Sequence, residues 1–111
     1  MLNETLIKIE QTIKNAESLG QNDQKKLLSL IADLKSEVTD LSSTHEDQAQ
    51  SIAGFTQVTS HEATRATPNT RLLSISLDGL KSSVQEFEAS HPRLVATVNS
   101  IHQMFANIGL S

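Results

Sequence analysis

The sequence predicts an all-α protein of antiparallel helical hairpins, four-helix bundle-like, with heptad-type seams and one long second helix. Three observations carry this expectation. Apolar residues recur at alternating spacings of four and three, which gathers them on one side of a helix, and no stretch alternates by two as a half-buried strand does. The chain has 111 residues, which suits one helical domain over 1–111. Its aromatic content is 3%, Phe55, Phe87 and Phe105 with no Trp or Tyr, so the core must be aliphatic.

The first helix is expected over 2–19, with Leu2, Leu6, Ile9, Ile13 and Ala16 on its seam. Glu4 with Lys8, and Glu10 with Lys14, are spaced to pair on its outer face. Gly20 follows where a left-handed residue ends a helix cheaply. The second helix is expected over 22–62, capped by Asn22, with Asp23 near its positive end. Its seam is Leu27, Ile31, Leu34, Val38 and Leu41. Past Leu41 two readings compete. Ser43 with Glu46 fits a capping box, so the helix stops and restarts. Alternatively it runs on through Ile52 and Phe55, with Gly54 a weak point costing about 1 kcal/mol. The continuous helix is favoured, as an extension less stable than its N-terminal half and about 60 Å long in all.

Residues 63–70 lose the period and read as a linker. The third helix is expected over 68–89, entered by Thr67-Pro68 as cap and first-turn proline. Its seam is Leu73, Leu77, Leu80, Val84 and Phe87. Ser90-His91-Pro92 repeats that entry form before a fourth helix over 92–108, whose seam is Leu94, Val98, Ile101, Phe105 and Ile108. The register survives across Pro92, as in one kinked helix, yet proline inside a helix costs about 3 kcal/mol, so a tight turn is preferred. Gly109 closes this helix, with Leu110 folding back on Phe105. Ile7, Leu28, Leu30, Leu72, Ile75, Val95 and Met104 flank the seams. The widened stripes ask for more than one neighbouring helix, which is the pattern of a bundle.

Composition bears on function. The net charge is −4, and residues 1–62 carry five Lys against ten Asp or Glu, which disfavours nucleic acid as a partner. With no Cys, disulfides, thiolate nucleophiles and Cys-ligated metals are excluded. The first residues lack the apolar run of a secretory signal, so the cytoplasm is the expected location. Helix four is amphipathic enough to lie on a membrane, but its polar face is poor in Lys and Arg, which counts against that use.

Few residues suggest chemistry. Glu88 and His91 have the Glu-x-x-His spacing of di-metal bundles, but no second pair exists, and His91 before a proline reads more simply as a turn residue. His45 falls on the extrapolated seam of helix two. His61, Glu62 and Arg65 form a small polar group near the linker, either a partner-binding patch or an ordinary helix end. His102 borders the seam. No nucleophile elbow and no glycine-rich phosphate loop occurs. The expectation is a protein without catalytic activity, cofactor or metal, acting through protein contacts at Phe55, His61, Glu62, Arg65, His91 and His102. An overhanging long helix would need a partner, so a homo-oligomer, a dimer first, is expected; an unknown protein partner also fits. The alternative is a ligand or metal held between helices near Phe55, Phe87 and Phe105.

One stretch has a family likeness. Phe87-Glu88-Ala89-Ser90-His91-Pro92-Arg93-Leu94, a helical seam and the ending Asn107-Ile108-Gly109-Leu110 resemble the bacterial domain-of-unknown-function family DUF4404. Ser51-Ile52-Ala53-Gly54-Phe55 with Ser60-His61-Glu62-Ala63-Thr64-Arg65 is similar to a longer subgroup of it. The resemblance implies a short helical protein with no assigned activity and supplies no catalytic residue.

Overall fold

The apolar seams read from the sequence form the core. In a computed structural model of the chain, which describes residues 1–110, all five seam residues of helix two and all five of helix three are buried, with Leu6, Ile9, Ile13, Leu94, Val98, Ile101 and Phe105. The elements are α1 (Leu2–Lys14), α2 (Gln21–Ser42), α3 (Glu46–Thr64), α4 (Thr70–Val84), a 3-10 turn (Gln85–Phe87) and α5 (Pro92–Leu110). The protein is all-helical, with no strand among the described residues.

The main correction concerns the long second helix. It breaks at Ser43-Thr44-His45 into α2 and α3, without glycine or proline. Three successive hydroxyls fold back instead. Ser42 Oγ donates to the Thr39 carbonyl (2.6 Å), Ser43 Oγ to Asp40 (2.8 Å) and Thr44 Oγ1 to Leu41 (3.3 Å). They add a donor to the last carbonyls of the helix, those of Asp40 and Leu41 also accepting from the backbone N–H groups of Ser43, Thr44 and His45. His45 then leaves helical geometry (φ −137°, ψ 65°) and occupies the cap position of α3, so the chain stops and restarts as in the less favoured reading, but without the Ser43–Glu46 capping box. With the rod broken, the longest dimension is 37 Å, and the Cα radius of gyration is 12.8 Å. A compact chain of this length has about 13 Å. No 60 Å overhang exists, so the geometric reason for expecting a partner falls away.

α3 occupies the middle and packs against each of the other four helices. The four-three period continues through it as Ala49, Ala53, Thr56, Ser60 and Ala63, all buried. Small side chains let neighbouring helices approach closely. Their hydroxyls are satisfied on their own helix: Thr56 Oγ1 donates to the Ile52 carbonyl (2.8 Å) and Ser60 Oγ to Gln57 (2.8 Å). The stretch expected to be a less stable extension of helix two is therefore the centre.

Several helix ends also differ from expectation. α1 stops at Lys14 rather than 19, because the Gln24 amide from α2 donates to the Ile13 and Lys14 carbonyls (3.1 and 2.9 Å). Gly20 is extended (φ −69°, ψ 160°) and is the cap of α2; Asn22 lies inside that helix. Glu10 reaches Lys35 of α2 (4.0 Å) instead of Lys14. α4 is capped by Asn69, whose Oδ1 accepts from the Leu72 N–H (3.0 Å), so Thr67-Pro68 precedes the cap. Pro92 is the first residue of α5, and the chain turns before it, as expected. Gly109 does not close α5, which continues to Leu110, itself 47% exposed. A Cβ on Gly109 would overlap Leu73 and stand 3.3 Å from Ala63 Cα, so this glycine lets α5 meet α3 and α4 closely.

Candidate interaction surface

The outward faces of α3 and α4 carry what the core leaves over. Leu80 and Leu73 of α4 point inward, and beside that seam stand Leu72 and Ile75, 45% and 57% exposed. On α3, Phe55 and Val58 are 39% and 49% exposed. The two faces adjoin: the Phe55 ring lies over Gly79, where any Cβ would collide with it. α4 returns along α3 after the five-residue connection 65–69, so Val58, three residues beyond Phe55, and Ile75, four residues before Gly79, come to about the same level of the two helices. The result is an apolar strip of Phe55, Val58, Leu72 and Ile75. Beyond Phe55 it opens into a cleft of about 430 Å³ lined by Ser51, Ser82, Ser83, Asp47 and Glu86.

At the opposite end of the strip is the polar group expected from sequence. Glu62 is 7% exposed, and its carboxylate accepts from Arg65 Nη1 at 2.8 Å, while His61 Nε2 lies 4.0 Å away. Arg65 is thus first a counter-charge for a buried carboxylate. Replacing it with Met leaves that charge without its donor, and we expect a loss of about 1–3 kcal/mol, read from urea unfolding by circular dichroism.

His91 and His102 are elsewhere. His91 lies at the α2–α3 and α4–α5 turns, where three rings meet edge-on: His45–Phe87 at 5.3 Å, Phe87–His91 at 5.4 Å and His45–His91 at 6.2 Å between centroids. Each imidazole is tied to the preceding residue, Nδ1 of His45 to Thr44 Oγ1 (2.8 Å) and Nδ1 of His91 to Ser90 Oγ (2.9 Å). The Phe87–His91 motif therefore clasps both breaks together. Among the described residues no group of three or more His, Asp or Glu is placed to hold a metal ion. Phe87 and Phe105 are buried while Phe55 is exposed, so the three rings line no common pocket.

His102 is half-buried on α5 near Lys81 and Asp78 of α4. Its pKa falls below the usual 6.5, chiefly because burial penalises the charged ring; repulsion from Lys81 adds to this and Asp78 opposes it. The unfolded chain therefore binds the proton more readily. The stability His102 confers is complete above 6.5 and is lost as pH falls through the lowered folded value. We expect His102→Gln to flatten the fall in Tm between about pH 7 and pH 5, as followed by circular dichroism.

Phe55, Glu62 and Arg65 thus share one face with His61 at its edge, and His91 and His102 do not belong to it. Sequence reasoning assigned Leu72 and Ile75 to a widened core stripe, and Val58 and Gly79 to nothing. Leu72 and Ile75 sit one and two positions off a seam that is already complete, and that is the signal they carry. Of the apolar stripe of α5, Leu94, Val98, Ile101 and Phe105 face inward and are buried by the rest of the protein. No helix among the described residues is long and apolar enough to cross one.

Neither the curated proteins nor the solved structures gave a match. The family model described as Domain of unknown function (DUF4404) matches residues 27–110, which takes in α3, the ring cluster and Gly109. Spanning most of the chain and every element that builds the strip, that match makes this protein a member of the DUF4404 family.

Proposed function

We propose that the protein is a protein–protein interaction module without catalytic activity, and that it works as a homo-oligomer. The observation that carries this is the apolar strip: four large side chains, each at least 39% exposed, brought together on the adjoining faces of two helices. Scattered exposed leucines are ordinary, whereas a contiguous apolar strip with a polar rim is typical of a contact surface. The cleft beside Phe55 is open to solvent, and the buried carboxylate of Glu62 is paired with Arg65. A catalytic pocket asks for convergent groups poised against each other.

Absolute mass by size exclusion with light scattering, over a dilution series, tests the reading. Refractive index must report concentration, because Trp and Tyr are absent. A mass rising toward twice 12.1 kDa with concentration supports it. A monomer throughout removes self-association.

A further inference from the structure

Charge along the strip is arranged so that one copy complements another. On α3 the exposed residues Asp47, Ser51, Phe55 and Val58, the buried Glu62 and, just past the helix end, Arg65 recur at spacings of four and three. On α4 and the 3-10 turn that follows it the row is Arg71, Ile75, Gly79, Ser82 and Glu86. Asp47 and Arg65 lie equally far on either side of Thr56. Arg71 and Glu86 lie equally far on either side of the Asp78–Gly79 bond. These two midpoints sit side by side, next to the contact of Phe55 with Gly79.

We infer that this face docks a second copy of the chain through a two-fold axis that crosses the strip at its middle, at right angles to the helices. The inference rests on the self-association proposed above. With the axis so placed, α3 lies antiparallel on α3 and α4 antiparallel on α4. Asp47 of one copy then meets Arg65 of the other, and Glu86 meets Arg71. The cleft beside Phe55, with two carboxylates and three serine hydroxyls, receives a guanidinium. The other two-fold arrangement, with its axis along the helices, places the acidic end on the acidic end. Charge therefore selects the first.

The apolar centre of Phe55, Val58, Ile75 and Leu72 supplies the burial, and the end charges fix register and direction. Glu62 stays with Arg65, so that end carries one net positive charge together with Arg71. Asp78 lies on the rim near the axis, exposed to solvent and one turn from Lys81, and opposes the contact weakly. From Asp47 to Arg65 is about 27 Å along the helix, and a face of that length and two helices wide offers about 500 Å² per copy. That stands near the lower limit for a specific interface, so the dimer is reversible at micromolar concentration.

The test is sedimentation velocity of the full chain from about 1 to 500 µM, with folding of each variant checked by circular dichroism. Phe55→Glu and Ile75→Glu, both at exposed positions, are expected to weaken the dimer at least about tenfold. Glu86→Arg alone and Arg71→Glu alone also weaken it. The double variant Glu86→Arg with Arg71→Glu restores it, because positions 86 and 71 then carry opposite charges again, exchanged, and meet only across the two copies. Asp78→Asn tightens it. A parent dimer indifferent to all these changes, or one weakened by both charge reversals without rescue in the double variant, overturns this interface and leaves self-association standing. A parent that is monomeric throughout overturns both, even if a different protein binds the face.

Discussion

Phe105→Ala is expected to destabilise the protein by about 3–5 kcal/mol, and Phe55→Ala by about 1 kcal/mol or less. Both are phenylalanines on helices, and their environments set the difference. Phe105 has no exposed surface and is the largest fully buried side chain. Its removal forfeits transfer free energy and leaves a cavity that the surrounding leucines and isoleucines fill only in part. Phe55 keeps 39% of its surface in water and rests over Gly79, so truncation uncovers backbone without hollowing the interior. A domain of this size has about 5–15 kcal/mol in total, so the first change removes a large share of it, with Tm falling by roughly 10 °C or more. Urea unfolding followed at 222 nm measures both. Equal losses for the two variants would mean that Phe55 is a core residue, and the interaction surface would lose its centre.

The contrast also shows what kind of information the sequence carried. Long seams of Leu, Ile and Val were legible because their period is unambiguous: α2, α4 and α5 have the expected stripes, and Pro92 opens α5 after a turn. The α2–α3 break was legible only as the less favoured of two readings, since Ser42, Ser43 and Thr44 mark it by hydroxyl bonds to carbonyls and not by glycine or proline. Gly20 and Gly109 invited the opposite mistake. Both look like helix terminators, but one is an extended cap and the other a close-packing position inside α5. Of the candidate surface, Phe55 and the Glu62–Arg65 pair were visible as residues. Their conjunction with Leu72 and Ile75 was not, because it depends on α4 returning along α3, and that requires knowing where α2 ends.

Ala49→Leu combined with Ala53→Leu is the sharpest test of this architecture, because the two positions have opposite meanings in the two readings. If α3 were a loosely held extension of α2, larger apolar side chains would strengthen its weak stripe, and Leu is nearly as good a helix former as Ala. In the observed fold both alanines are fully buried on a helix that touches every other helix. Each added side chain must then push a neighbouring helix outward or adopt a poor rotamer, at about 1–3 kcal/mol per site. The two sites are one turn apart and share neighbours, so the sum of their costs is an approximate guide to the double variant. The expected outcome is a double variant destabilised by roughly 2–6 kcal/mol, with Ala53→Ser within about 1 kcal/mol of the parent as a control of conserved volume. Helix content at low temperature separates two forms of failure. Lost helicity means that the whole bundle depends on α3, and retained helicity with a broadened melt means that the helices persist while their packing is lost. Because α3 supplies Phe55 and Val58 to the strip, either form also removes the surface proposed for docking, so the small residues that make α3 fit the core indirectly hold the contact face in place.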